Sequence, residues 1–250
     1  MSAETGHKVF EAPKDINVKI WRYMDFTKFV SFLDTQALFF SRSDLLGDPY
    51  EGATSHFNKT IWPIIYKNKL MRELMHKTTS HNKWKRQWTF INCWHMNEVE
   101  SAAMWKLYAQ TNEAVTIQST YSLLHSLLPK NTYVGIVKYI NYQTEWLPEG
   151  NALYPYVHKR KSFDHEQELR AVITNSPTKT STDGKSKSFN YIPNPESGRL
   201  IPIDIPALVQ NIYVAPTSPR WFRQLVKSVI AKYGLSIPIS ESTIDLKPTF

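Results

Sequence analysis

Apolar residues recur along the chain in short runs whose spacing switches between the two periods of regular secondary structure. Residues 18–23 predict a strand, and behind it Phe29, Val30, Phe32 and Leu33 fall at helical spacing, with Asp25 or Thr27 placed to cap the helix. Residues 37–40 predict a second strand, followed by a turn-rich stretch over 43–52. Helical spacing returns over 59–88. A strand at 89–94 and a helix at 98–109 follow, and then a strand at 114–118 delivers Ser119-Thr120 to a helix over 121–128. Strands are predicted at 133–142, 169–174, 200–203 and 211–215, an amphipathic helix at 221–233, and a short strand ahead of Pro248. Strands and helices mix without the regular alternation of a doubly wound sheet, and no Gly-rich phosphate fingerprint follows a strand. The pattern predicts one α+β domain over 17–250, a mixed sheet with flanking helices. Residues 1–16 read as a flexible polar tail. The Pro-, Ser-, Thr-, Lys- and Gly-rich stretch 176–198 reads as a mobile loop or protruding hairpin.

Composition narrows the class. An apolar content of 42 %, with aromatic residues at 13 %, supports a real core and excludes a disordered chain. The single cysteine, Cys93, excludes an internal disulfide and a cysteine-based zinc site, and suits a reducing cytoplasm. No apolar run approaches the roughly 20 residues that span a bilayer, and Met1–Lys8 has no apolar signal-peptide core. No membrane role is expected. The net charge of +8 favours acidic partners such as nucleic acid. Lys59, Lys67, Lys69, Arg72, Lys77, Lys83, Lys85 and Arg86 face one acid, Glu73, within the helical stretch, and Trp62, Trp84 and Trp88 are interleaved. Lys83, Lys85 and Arg86 are the candidate nucleic-acid contacts; the alternative is a solvated helix face.

The densest candidate chemistry is Glu166-Gln167-Glu168, where a polar run becomes apolar. In an extended segment both carboxylates project from one face, where like charges repel and a fold gains nothing from them. Such a pair suits chemistry at a sugar carbon, one carboxylate stabilising positive charge and the other handling a proton. The alternative is a solvated strand edge in which the glutamates pair with Arg160 or Arg170. Arg22-Tyr23 ends the first strand just before a capped helix, a position from which arginine grips phosphate or forms a surface ion pair. Ser119-Thr120 at a strand-to-helix junction is first an N-cap, and its hydroxyls also suit a sugar or phosphate. Cys93 lies in an apolar strand and reads as structural. Asp44, Asp48 and Glu51 read as turn-capping acids, the histidines lack ligand spacing, and no metal is expected.

The order Arg22, Ser119-Thr120, Glu166-Gln167-Glu168 resembles the Arg-Ser-Glu type of ADP-ribosyltransferase, although Tyr121 departs from the third position of the usual Ser-Thr-Ser triplet. The opening stretch, Ile20 to Leu33 with Ala37-Leu38-Phe39-Phe40-Ser41, is similar to that of DarT-type DNA ADP-ribosyltransferases. Most of residues 20–175 resembles the bacterial uncharacterised family DUF2971. That likeness is carried by Trp21-Arg22-Tyr23, Phe39-Phe40-Ser41-Arg42, Gly47-Asp48-Pro49-Tyr50-Glu51-Gly52, Met104-Trp105-Lys106-Leu107-Tyr108-Ala109 and Phe163-Asp164-His165-Glu166-Gln167-Glu168-Leu169-Arg170. The resemblance implies a split sheet with NAD across the split and no metal cofactor. Arg22 would bind its phosphate or ribose, Tyr23 would stack on nicotinamide, and Ser119 and Thr120 would hold the strand bordering the site. Glu168 would serve the ribose and Glu166 the acceptor. It further implies a cytoplasmic toxin or phage-defence effector modifying RNA or DNA, with an antitoxin or chaperone as a possible partner. Two other readings stay open: a non-enzymatic nucleic-acid-binding module, and a metal-dependent nuclease using Asp44, Asp48, Glu51 and the two glutamates.

Overall fold

The computed structural model describes residues 2–109, 112–181 and 186–244. Strand β1 (Lys19–Asp25) runs directly into helix α1 (Phe26–Thr35), because the Asp25 carboxylate accepts the Lys28 N–H at 2.8 Å and caps the helix. Gln36, in the left-handed region at φ 47°, ends α1 and turns the chain into β2 (Ala37–Arg42). Two helices follow, α2 (His56–Ile65) and α3 (Lys69–Lys85), capped by Ser55 and Asn68. Next come β3 (Thr89–Met96), α4 (Ala102–Tyr108), β4 (Ala114–Thr120) and α5 (Tyr121–Leu127). The middle of the chain supplies β5 (Tyr133–Ile136), β6 (Lys138–Ile140), β7 (His158–Arg160) and β8 (Glu168–Thr174). The last part contains β9 (Thr178–Thr180), β10 (Lys187–Phe189), β11 (Gly198–Pro202) and α6 (Ile205–Leu208). It ends with β12 (Asn211–Val214), α7 (Arg220–Lys232) and β13 (Ile239–Glu241). Pro248 lies outside the described residues.

The main sheet has the order β11-β2-β3-β1-β4-β12-β13, with β8 and then β5 added on β3. It is mixed: β12 and β13 are parallel and its other pairs antiparallel. Strand β3 is the junction. One edge pairs with β8 along its whole length, from Thr89↔Thr174 to His95↔Glu168. The other edge is shared, since β2 pairs at Phe90 and Ile91 and β1 at His95 and Met96. Between Ile91 and His95 the sheet therefore divides.

One face of the sheet carries the main core, where Phe90, Trp94, Leu169 and Ile117 pack with Phe29, Leu33, Leu124 and Phe222 of the helices. The other face holds two smaller apolar clusters, around Ile91, Val172 and Tyr156 at one end and around Trp21, Tyr23 and Trp105 at the other. Side chains alternate along a strand, so Cys93, His95, Glu168 and Arg170 share this second face between the two clusters. Among the described residues no helix is long and apolar enough to cross a membrane.

The N-terminal residues do not stand free as the polar composition suggests. Ala3 N–H donates to His125 O at 2.9 Å and Glu4 N–H to Thr132 O at 2.8 Å, and the Phe10 ring stacks on Tyr133 at 5.2 Å. Two apolar residues, Val9 and Phe10, suffice to lay the segment over β5. Gly135 permits this approach, because a Cβ there would meet Phe10 Cα at 2.8 Å. The predicted strand over 133–142 breaks at Val137, whose N–H donates to Glu168 O. Strand β5 then stays on β8, while β6 pairs with β7 in a separate two-stranded sheet. The stretch 176–198 contains the β9–β10 hairpin, tied to α3 by the Tyr191 ring 4.7 Å from Trp84 and by the Trp84 and Trp88 indoles, which both donate to Ile192 O.

Phe10→Ala should lower unfolding stability by about 3 kcal/mol, the scale for emptying a buried aromatic site. Chemical denaturation measures this, and an unchanged midpoint would mean the segment contributes no packing.

Candidate active site

The site is assembled from four segments that are remote in sequence. The turn over residues 47–52 places Glu51 inward. It needs glycine at position 52, where φ is +69° and a Cβ would lie 2.7 Å from the Tyr156 ring. Arg160 braces the turn by donating to Asp48 at 2.8 and 3.2 Å, its guanidinium lying over Tyr50 and Phe163. Arg170 on β8 is fully buried and donates to both Glu51 oxygens at 2.6 and 2.7 Å, to Glu168 Oε2 at 2.5 Å and to Tyr156 O at 3.0 Å. Lys159, on β7, sends its ammonium between the glutamates, 2.6 Å from Glu166 Oε2 and 2.6 Å from Glu168 Oε1. It stands 4.0 Å from Glu51.

The glutamates meet, but not by strand alternation. Glu166 closes a 3-10 turn over Lys161–Glu166, and Gln167 takes the left-handed conformation with φ 40° and ψ 54°. Only Glu168 belongs to β8. Lys159 draws together what an extended strand would have aligned. A solvated edge is excluded, because Glu166 and Glu168 are 6 % and 4 % exposed. Arg170 does pair with Glu168, whereas Arg160 is taken by Asp48.

The shared site pulls the two acids apart. Burial, then the hydrogen bond and charge of Glu168, push the Glu166 carboxyl up to about 8 against the pull of Lys159. Burial also works to raise Glu168, but Arg170, Glu166 and Lys159 outweigh it and hold that carboxyl well below its usual range. With Glu166 protonated, the carboxylates Glu51 and Glu168 match the cations Arg170 and Lys159.

His95 completes the constellation. Its Nδ1–H donates to Glu166 O at 2.7 Å, and its buried Nε2 has no hydrogen-bond partner among the described residues. Burial lowers its pKa, so the ring is neutral and Nε2 is an acceptor. The Tyr23 ring stands 6.2 Å from His95 and 4.9 Å from Trp105, edge-on to both, and its hydroxyl accepts the Ser101 N–H. The Tyr139 hydroxyl accepts the Glu168 N–H at 2.8 Å. Burial and Glu168 push the Cys93 thiol up, consistent with a structural cysteine.

The other sequence candidates are distributed differently. Arg22 follows the last β1–β3 pair and donates to Phe39 O of β2 at 3.3 Å, reaching across the division of the sheet. Burial lowers its pKa to about 10, and no carboxylate forms an ion pair with it among the described residues. It alternates to the side of β1 away from Trp21 and Tyr23. Ser119 lies opposite Ile20, with its hydroxyl donating to Leu208 O at 2.6 Å, and Thr120 caps α5 by accepting the Leu123 N–H. Both hydroxyls hold helices to β4 and stand apart from the glutamates. Lys83 is exposed, but Lys85 and Arg86 are half-buried, and burial lowers the Lys85 pKa. The three form no continuous exposed strip. Asp44, Asp48 and Glu51 are paired with Arg42, Arg160 and Arg170, and no group of three or more His, Cys, Asp or Glu among the described residues is arranged for a metal ion.

Sequence reasoning did not single out Lys159, set His95 aside among histidines without ligand spacing, and read Glu51 as a turn-capping acid or, alternatively, as a metal ligand of a nuclease. Glu51 carried a signal in Gly47-Asp48-Pro49-Tyr50-Glu51-Gly52; Lys159 and His95 carried none beyond their residue type.

Arg170→Ala should destabilise the fold by ~3–5 kcal/mol, because it strands Glu51 and Glu168 as buried, uncompensated charges. Calorimetry against Arg160→Ala, which removes a half-exposed partner, should show the larger loss at Arg170; equal small losses would refute this picture. A second prediction concerns pH. A glutamate with an ordinary pKa of 4.5 ionises in the unfolded chain well before Glu166 does near 8, so the unfolded state binds fewer protons in that window. The contribution of Glu166 is full below about 4.5 and lost as pH rises through 8. Glu168 acts oppositely, its contribution being lost on acidification. Glu166→Gln should flatten the decline of melting temperature between about pH 5 and 8. Parallel wild-type and variant profiles would contradict the raised pKa.

No family model matches the chain, and neither curated proteins nor solved structures give a significant match.

Proposed function

We propose that this chain is an NAD-dependent ADP-ribosyltransferase that modifies RNA or DNA, acting in the bacterial cytoplasm as a toxin or phage-defence effector. The observation that carries the reading is the Glu166–Glu168 pair on Lys159, two carboxyls driven to opposite protonation states in one site. The division of the sheet and the presence there of Arg22, a guanidinium without an acid partner among the described residues, favour an anionic ligand.

In this reading the C1′–N bond of the nicotinamide riboside breaks and its electron pair neutralises the departing pyridinium. Glu168 is ionised when C1′ becomes positive. Its two oxygens accept from Lys159, Arg170 and the protonated Glu166, which leaves an acceptor position for the ribose 2′-hydroxyl. A nucleobase or other acceptor then bonds to C1′ and passes its proton to the Glu166 carboxylate. Tyr23 and Trp105, both buried, wall the site beside His95, and Arg22, on the opposite side of β1, would reach the diphosphate through the division of the sheet. Lys83 adds long-range attraction for a polyanion.

Incubation with labelled NAD and separate DNA, RNA and protein pools, in parallel with EDTA and with magnesium, tests the reading. Label should enter a nucleic-acid pool; binding of nucleic acid without NAD consumption would mean a binding module, and magnesium-dependent strand cleavage a nuclease. Glu168→Gln should lower transfer at least ~100-fold while the protein stays folded. Glu166→Ala should abolish transfer but leave slow NAD hydrolysis, since water needs less orientation than a specific nucleophile. Wild-type kcat/KM should rise tenfold per pH unit up to a plateau above about 8, as the Glu166 base ionises. Near wild-type turnover in folded Glu168→Gln, or a flat pH profile, would contradict these roles.

A further inference from the structure

The helices α2 and α3 carry a second surface that the proposed chemistry does not use. None of the described side chains of α3 is buried. Leu70, Met71 and Leu74 are 69, 37 and 48 % exposed, and Ile64 and Ile65 at the end of α2 are 66 and 50 % exposed. Leu70 and Leu74 stand one turn apart, with Met71 beside them, so they form a stripe along one side of the helix. Next to this stripe lies a cavity of about 300 Å³ between the two helices, lined by Lys59, Trp62, Pro63, Arg72, Met75 and Thr79. Its wall is fixed in advance. Glu149 accepts hydrogen bonds from the Trp62 indole at 2.6 Å, the Tyr66 hydroxyl at 2.6 Å and Asn58 at 2.9 Å.

Around this apolar surface the charge is one-sided. Lys59, Lys67, Lys69, Arg72 and Lys77 are exposed and join no ion pair among the described residues; the acids are Glu73 on α3 and Glu149, whose carboxylate is committed to Asn58, Trp62 and Tyr66. A contiguous exposed apolar surface with charged edges marks an interaction site. Nucleic acid would satisfy the cations but leave the leucines, isoleucines and methionines in water. A lipid surface would take the stripe but not fill a concave cavity. An acidic amphipathic helix does both, with apolar side chains along the stripe, one of them entering the cavity, and carboxylates against the lysines.

We infer that the α2–α3 arm is a docking surface for an acidic, amphipathic helical segment of a partner protein. It is separate from the glutamate site, so occupying it and performing chemistry are independent properties of the chain.

Selection of a displayed library of random 16-residue peptides on the full chain tests this. Recovered peptides should be net negative, with apolar residues at helical spacing. By fluorescence anisotropy, a synthesised representative should bind at least ~10-fold more weakly to the Leu70→Ser/Leu74→Ser variant. Arg72→Glu should weaken it comparably, and added salt should weaken it further. These positions are exposed, so melting temperature and NAD turnover should be unchanged. The inference is overturned if no peptide is enriched, if the enriched peptides lack acidic residues, or if their binding ignores both variants. It is also overturned if those variants abolish binding of phosphatidylserine vesicles or of a single-stranded oligonucleotide and leave peptide binding intact.

Discussion

Lys159 and Arg170 are the two cations around which the sheet's second face is organised. They reach three carboxyl groups from two parts of the chain, and Glu51 and Arg170 are 119 positions apart. Burying such charges costs more than their attraction returns unless each is matched and hydrogen-bonded. Matching is nearly complete here, and the surplus acid, Glu166, stays protonated. Local conformations that look irregular follow from this demand. The left-handed Gln167, the glycine at position 52 and the break after β5 each bring a charged or backbone group to the cluster.

The division of the sheet along β3 gives the cluster its setting. Because β1 and β2 each pair with only one end of β3, His95 is flanked by Trp21 on one side and Glu168 on the other. Apolar clusters bound the polar stretch at both ends and keep the local dielectric low. In such surroundings a fixed pair of unlike protonation is a source of directed charge. A buried ion network contributes little to net stability compared with apolar packing of the same volume, and this supports the proposal that its arrangement here is preorganisation for a reaction.

Much of the fold was legible in the sequence because its signals are local. Asp25 caps α1, the alternating and helical runs gave most strands and helices near their observed limits, and Ser119-Thr120 ends a strand and caps a helix as the junction suggested. What stayed hidden depends on distant partners. Polar composition at the N-terminus outweighed Val9 and Phe10, whose burial needs β5 as a surface. The single strand inferred over 133–142 breaks where pairing passes from β8, at Val137, to Val157, which accepts the Lys138 N–H. In the site, Glu166 and Glu168 were found for a geometry they do not have; 3-10 closure and Lys159 bring them together instead. No spacing rule reveals that Glu51 faces Arg170 or that His95 clamps Glu166, since these are contacts between remote segments.

The opposed protonation of Glu166 and Glu168 is most directly tested by following glutamate side-chain carboxyl ¹³C shifts through a pH titration. One resonance, missing from the Glu166→Gln spectrum, should titrate near 8, while the resonance missing from Glu168→Gln should stay ionised throughout the ordinary carboxylate range. Two carboxyls titrating together in the ordinary range would contradict the account, because the site would then hold no acid and base of distinct character.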